Sequence, residues 1–185
     1  MTFERLPIQI HVPKTAGTSI RVALGISELS PAQPPHATAA DLRAALGDEA
    51  WSRGFSFTIA RNPFERIVSH YSYGLRHRNP GTRKRFLEDH PTFAHYVKAV
   101  CSGAEGPLTV CEYVGDEVLD YYGRFERLES AWATIRGEIG WHGEGELGRL
   151  NESGHDEYRG YYSEETRRLV RSRFADDLER FGYCF

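Results

Sequence analysis

Apolar residues along this chain gather into short runs and into stripes of helical period, separated by polar stretches carrying proline and glycine. Residues 8–12 (IQIHV) are a short apolar run that reads as a strand, and 55–60 (FSFTIA) are a second strand candidate. Residues 121–125 (YYGRF) are a third strand candidate. Helical spacing places Ile20, Ala23 and Leu24 on one face of a segment from about Ser19 to Leu24. Thr38 and Asp41 have the form of a capping box and predict a helix over 39–46. Asn62 as N-cap, Pro63 at the first position and Glu65 as capping partner open another helix, with Phe64, Ile67, Val68, Tyr71 and Leu75 on one stripe. Thr92 caps a helix facing inward through Phe93, Tyr96, Val97 and Val100. A further helix carries Leu128, Trp132, Ile135 and Ile139, and a last one from Ser163 buries Val170, Phe174, Leu178 and Phe181. The three-proline stretch 26–37, the polar and basic residues 76–90, and the glycine- and tyrosine-rich residues 140–162 read as loops.

Strand, loop and helix recur in that order, the pattern of an α/β domain with a mostly parallel sheet flanked by helices. The 185 residues suit one domain spanning 1–185. Ligands in such folds bind beyond the carboxyl ends of the strands. Composition narrows the field. With 40% hydrophobic residues, 26% charged residues and a formal net charge of −3, the chain is expected to be globular, with no general attraction for nucleic acid. No apolar run approaches the ~20 residues of a membrane span, and MTFERLPIQIHVPK is too polar for a signal peptide. Cys101, Cys111 and Cys184 are odd in number and lack CxxC spacing, so free thiols in a reducing, cytoplasmic setting are expected. A Cys101–Cys111 disulfide is the alternative.

Two loops carry candidate chemistry. The first, 13-PKTAGTS-19, lies between a strand and a helix, where unpaired helical N–H groups favour an anion. Lys14 adds a positive charge, Thr15, Thr18 and Ser19 add hydroxyls, and Gly17 allows close backbone approach. A turn with a surface lysine accounts for the same residues. The order differs from GxxxxGK[ST], since the lysine precedes the glycine, and no acidic segment shows magnesium-binding spacing. The second, 57-FTIARNPFERIVSHY-71, is a strand, a tight turn and a capped helix. Arg61 at the strand end suits a phosphate, and Ser69 lies about two turns past Asn62 on the same helical face. A good helix start with Arg61 paired to a carboxylate is the plainer reading.

Taken together, HVPKTAGTS and FTIARNPFERIVSHY resemble the 5′-phosphosulfate and 3′-phosphate loops of sulfotransferases that use 3′-phosphoadenosine-5′-phosphosulfate (PAPS). The likeness is to the branch that includes heparan sulfate 2-O-sulfotransferase and its bacterial relatives. Residues 123–128 (GRFERL), 149–170 and 181–185 are similar to its later segments, so the resemblance runs from residue 8 to 185. It implies a P-loop-like three-layer α/β fold and transfer of a sulfuryl group from PAPS to a hydroxyl, without a metal. By this resemblance Lys14 stabilises the leaving nucleotide and Thr15, Gly17, Thr18 and Ser19 hold the 5′-phosphate. Arg61 and Ser69 hold the 3′-phosphate, and His36, opening 36-HATAADLRAAL-46, is the base. His70, Glu65 and Glu112 are alternative bases, while His11 suits a core or sheet-edge role. The family's H-x-x-P-Q stretch is replaced by 108-LTVCEYVGDE-117, which points to a different acceptor.

The resemblance favours a carbohydrate hydroxyl, on a glycan or glycolipid, as acceptor. Arg76, His77, Arg78, Arg83, Lys84 and Arg85 form either a solvated face or a surface for an anionic glycan. Tyr158, Tyr161 and Tyr162 either stack on a ligand or belong to the core. A small P-loop kinase and a non-catalytic nucleotide- or glycan-binding module are the competing readings.

Overall fold

A computed structural model of the chain describes residues 2–27, 30–141, 147–148 and 157–185. Its elements are β1 (Pro7–Ile10), α1 (Gly17–Ala23), α2 (Ala39–Leu46), α3 (Asp48–Arg53), β2 (Phe55–Ala60), α4 (Pro63–Leu75) and α5 (Pro80–Asp89). Then come α6 (Phe93–Cys101), α7 (Val110–Val114), β3 (Tyr121–Arg124), α8 (Leu128–Glu138), α9 (Glu164–Arg173) and α10 (Ala175–Phe181). The chain falls into two compact units. The first holds residues up to Arg61 together with 110–151, and the second holds 62–109 together with 152–185.

The first unit is built on an open, three-stranded parallel sheet in the order β1-β2-β3, with Gln9 opposite Phe57 and Phe57 opposite Tyr121. This is the α/β, parallel-sheet architecture that the sequence pattern predicts. All six residues of β2 are buried, as expected for a central strand covered on both faces. Phe55, Phe57 and Ile59 lie on one face and pack with Ile20 of α1, with Leu24 just past its end, and with Ala131, Trp132 and Ile135 of α8. Ser56 and Thr58 of β2 are satisfied locally. Asp120 accepts bonds of 2.8 Å from both the backbone N–H and the hydroxyl of Ser56. The Thr58 hydroxyl donates to the Ile10 carbonyl (2.9 Å) and ties the ends of β1 and β2.

The second unit is helical. Phe64, Ile67 and Tyr71 of α4 pack with Tyr96, Val97 and Val100 of α6 and with Val170 and Phe174. Arg66 is fully buried among them, with Nη2 donating to the Leu108 carbonyl (2.7 Å) and its guanidinium 5.5 Å from the Phe174 ring centre.

Three expectations need correction. Residues 80–89 form α5 rather than loop. Asn79 caps it by accepting from Gly81 and Thr82, Pro80 occupies the first turn, and none of its residues is buried, so no apolar stripe betrays it. The last helix is two, because Phe174 (φ −110°, ψ 26°) ends α9 before α10 begins. Residues 158–161 of the expected 140–162 loop form a 3₁₀ turn, while 142–146 and 149–156 lie outside the described residues. Two short helices, α3 and α7, went unread. None of the three cysteines, Cys101, Cys111 and Cys184, is in a disulfide. Among the described residues, no helix is long and apolar enough to cross a membrane.

Candidate functional site

Because β1 and β2 run parallel, the segment after Ile10 and Arg61 after Ala60 leave the sheet at the same end. The first loop is held tightly there. The buried Thr15 hydroxyl donates to the Val12 carbonyl (2.8 Å). Lys14 (φ 66°) and Ala16 (φ 64°) both adopt the left-handed conformation, which costs a residue with a Cβ roughly 1 kcal/mol. Arg61, only 6% exposed, donates from Nη1 to the Lys14 carbonyl (3.0 Å), and its guanidinium lies 4.1 Å from the centre of the Phe125 ring. The two motif loops therefore meet, through Arg61, at the backbone of Lys14. Thr18 is half-buried and Ser19 is buried on α1, a helix of seven residues with no side-chain cap at Ala16.

Gly17 has a steric task of its own. A Cβ built on it would lie 1.9 Å from His11 Cδ2 and 2.2 Å from Nε2, so the absence of a side chain makes room for the His11 ring. His11 is 5% exposed, and its Nδ1 is buried without a hydrogen-bond partner among the described residues. Burial first, then the charges His36 and Arg21 place beside it, push the His11 imidazole down to about 3. It is therefore neutral across the physiological range.

The proline-rich loop delivers His36 to this point. Fully buried Arg21 donates from Nη2 to the carbonyls of Ser27 and Gln33, each at 2.7 Å. The buried Gln33 side chain donates to the Pro7 carbonyl (3.0 Å) and accepts from the Gln9 N–H (3.4 Å), lying along β1. His36 follows, exposed and in the left-handed region (φ 62°), and the Thr38 capping box with Asp41 then starts α2. His36 Nδ1 is 3.0 Å from the His11 carbonyl, and the two imidazole centres are 4.4 Å apart. A carbonyl only accepts, so Nδ1 carries the proton and Nε2 presents its lone pair.

The structure thus brings Lys14, Gly17, Arg61 and His36 around one loop of the first unit. Ser69 belongs to the second unit, fully buried on α4. His70 is also in that unit, with Nδ1 paired to the Tyr96 hydroxyl at 2.6 Å. Tyr162 is core: its hydroxyl donates to the Phe64 carbonyl (2.9 Å), and burial pushes it well above the usual phenol range. Tyr158 and Tyr161 make edge contacts with Phe185 and Phe93. On α5, Lys84 and Arg85 face Glu88 and Asp89 at 3.7 and 3.6 Å, exposed pairs of small energetic weight. Among the described residues, no group of three His, Cys, Asp or Glu side chains is arranged to hold a metal.

Sequence reasoning missed Arg21 and Gln33 as the residues that place His36. Arg21 carries no apolar signal, and a loop's need for buried donors cannot be read from its prolines. Comparison with known proteins returns no match: no family model fits the chain, and neither a curated protein nor a solved structure matches it.

Proposed function

We propose that the chain is a sulfotransferase that uses PAPS as donor and a hydroxyl, on a carbohydrate, as acceptor. The observation that carries the proposal is the bond from Arg61 to the Lys14 carbonyl, which joins the two donor-binding motifs at the carboxyl ends of adjacent parallel strands. The resemblance of the two loops supplies the nucleotide, and a P-loop-like fold is part of the same proposal. Three cysteines without a disulfide suit a cytoplasmic setting.

Bound against this loop, the donor would supply an activated sulfuryl group. Lys14 offsets the negative charge that grows on the leaving phosphate oxygen, the largest demand of an in-line displacement. Thr18 and Ser19 supply hydroxyls at the start of α1, while Thr15 and Gly17 shape the loop. Arg61 supplies positive charge for the 3′-phosphate. His36 takes the acceptor proton at Nε2, held in that tautomer by the His11 carbonyl. Ser69 carries no part of this proposal.

The test is thermal stability with 3′-phosphoadenosine-5′-phosphate, 5′-AMP and ATP with magnesium. At about a hundredfold excess over Kd, a ligand binding only the folded state adds about 2.7 kcal/mol. For a chain of this size that raises Tm by roughly 5–10 °C. The bisphosphate alone should give this rise, and Lys14→Ala should abolish sulfuryl transfer to carbohydrate acceptors. An equal response to 5′-AMP removes the role of Arg61, and a response to ATP with magnesium alone points to a kinase. Bisphosphate binding without transfer to any acceptor leaves a binding module.

A further inference from the structure

The proposed chemistry uses Lys14 and His36 and leaves the buried ring beside His36 without a task. Three facts converge on His11. Its ring fills the space that a side chain at position 17 would need, at the first residue of α1. Its other neighbour is the His36 ring, 4.4 Å away and tilted by 41°. Among the described residues, the non-glycine residues with positive φ are Lys14, Ala16 and His36, which lie in the adjacent loop or against His11 itself. Backbone strain gathered around one side chain, rather than spread through turns, marks a place whose geometry is held for a purpose.

The burial of His11 serves no hydrogen bond at Nδ1, which has no partner among the described residues, so the ring is not retained as a donor or acceptor at that atom. A buried polar atom left unmade costs about 1–3 kcal/mol, and an aliphatic residue of similar size avoids that cost. What the imidazole provides is a flat, neutral group whose Cδ2–Nε2 edge fills the space beside Gly17 and which packs against a second imidazole. Its own carbonyl meanwhile holds His36 Nδ1.

We propose that His11 is a positioning residue: a planar spacer that sets the distance and tilt of His36 relative to the Lys14–Gly17 loop and so keeps His36 in the tautomer with Nε2 exposed. This rests on the sulfotransferase reading only where turnover is concerned, since the tautomer is a property of the protein alone.

Nitrogen NMR of the histidine rings tests it. In the parent chain, neutral His36 should carry its proton on Nδ1, whereas a free imidazole side chain favours Nε2. In His11→Ala, His36 should revert to the free preference. Gly17→Ala, which pushes the ring aside without removing it, should shift the tautomer the same way, and His11→Phe, which keeps a flat plate, should retain the parent state. With PAPS, His11→Ala should lower kcat by about 10²-fold through misplacement of the base and leave the donor KM nearly unchanged. A His36 that carries its proton on Nε2 in the parent chain overturns the inference. So does a tautomer unmoved by both His11→Ala and Gly17→Ala. If the parent chain transfers no sulfuryl group, the proposed function fails, and the tautomer results decide the inference alone.

Discussion

Acidification should destabilise this protein through one imidazole. His11 is held at about 3 in the folded chain against 6.5 for an ordinary histidine, mainly by burial. The folded state therefore binds fewer protons than the unfolded state between these values. Its stability is full above 6.5, falls as pH drops through 6.5, and levels off near 3. At about pH 5 the unfolded imidazole is almost wholly protonated and the folded one is not, so the loss relative to about pH 7 is about 2 kcal/mol. For a chain of this length that lowers Tm by roughly 4–8 °C. Thermal melts at both pH values, in the parent chain and in His11→Phe, isolate the effect, because carboxylates titrating in the same range contribute equally to both. The parent should lose about 2 kcal/mol more than the variant between these pH values. Identical pH slopes would refute the reasoning, as would His11 resonances that titrate near 6.5 in the folded chain.

Two further outcomes follow from contacts in the segments around His36. Thr38→Ala removes the hydroxyl that accepts from the Asp41 N–H and should cost about 1 kcal/mol by denaturant unfolding. Arg21→Met keeps the aliphatic volume but strips the donors from the Ser27 and Gln33 carbonyls. It should cost about 2–4 kcal/mol and, by loosening the segment that ends in His36, lower kcat more than it raises the donor KM.

Local chemistry made much of the fold legible. β2 and α2 have the bounds that the apolar run at 55–60 and the Thr38–Asp41 box predict, because each depends on residues a few positions apart. Asn62 and Pro63 start α4 as read, with Asn62 accepting from the Phe64 N–H. The same Asn-Pro signal at 79–80 starts α5, yet was outweighed by the lack of an apolar stripe, since no residue of that helix is fully buried and Phe86 packs only half-buried against the core. The α9–α10 break is invisible for the opposite reason. Val170, Phe174 and Leu178 keep perfect four-residue spacing across a single residue that leaves the helical conformation. In the candidate site, Lys14, Arg61 and His36 were readable from their motifs. The roles of Arg21 and Gln33 depend on contacts 6 to 26 positions apart in sequence, which no local pattern encodes.

Gln33 has a consequence beyond the placement of His36. β1 is an outer strand of the sheet, and an outer strand offers unpaired backbone groups that can recruit another chain. The Gln33 amide answers the Pro7 carbonyl and the Gln9 N–H as a neighbouring peptide unit would, so one side chain stands in for a fourth strand. The apolar, fully buried strand Pro7–Ile10 is thereby withheld from edge-to-edge association. The loop that brings His36 to its place is also what guards the protein against aggregation.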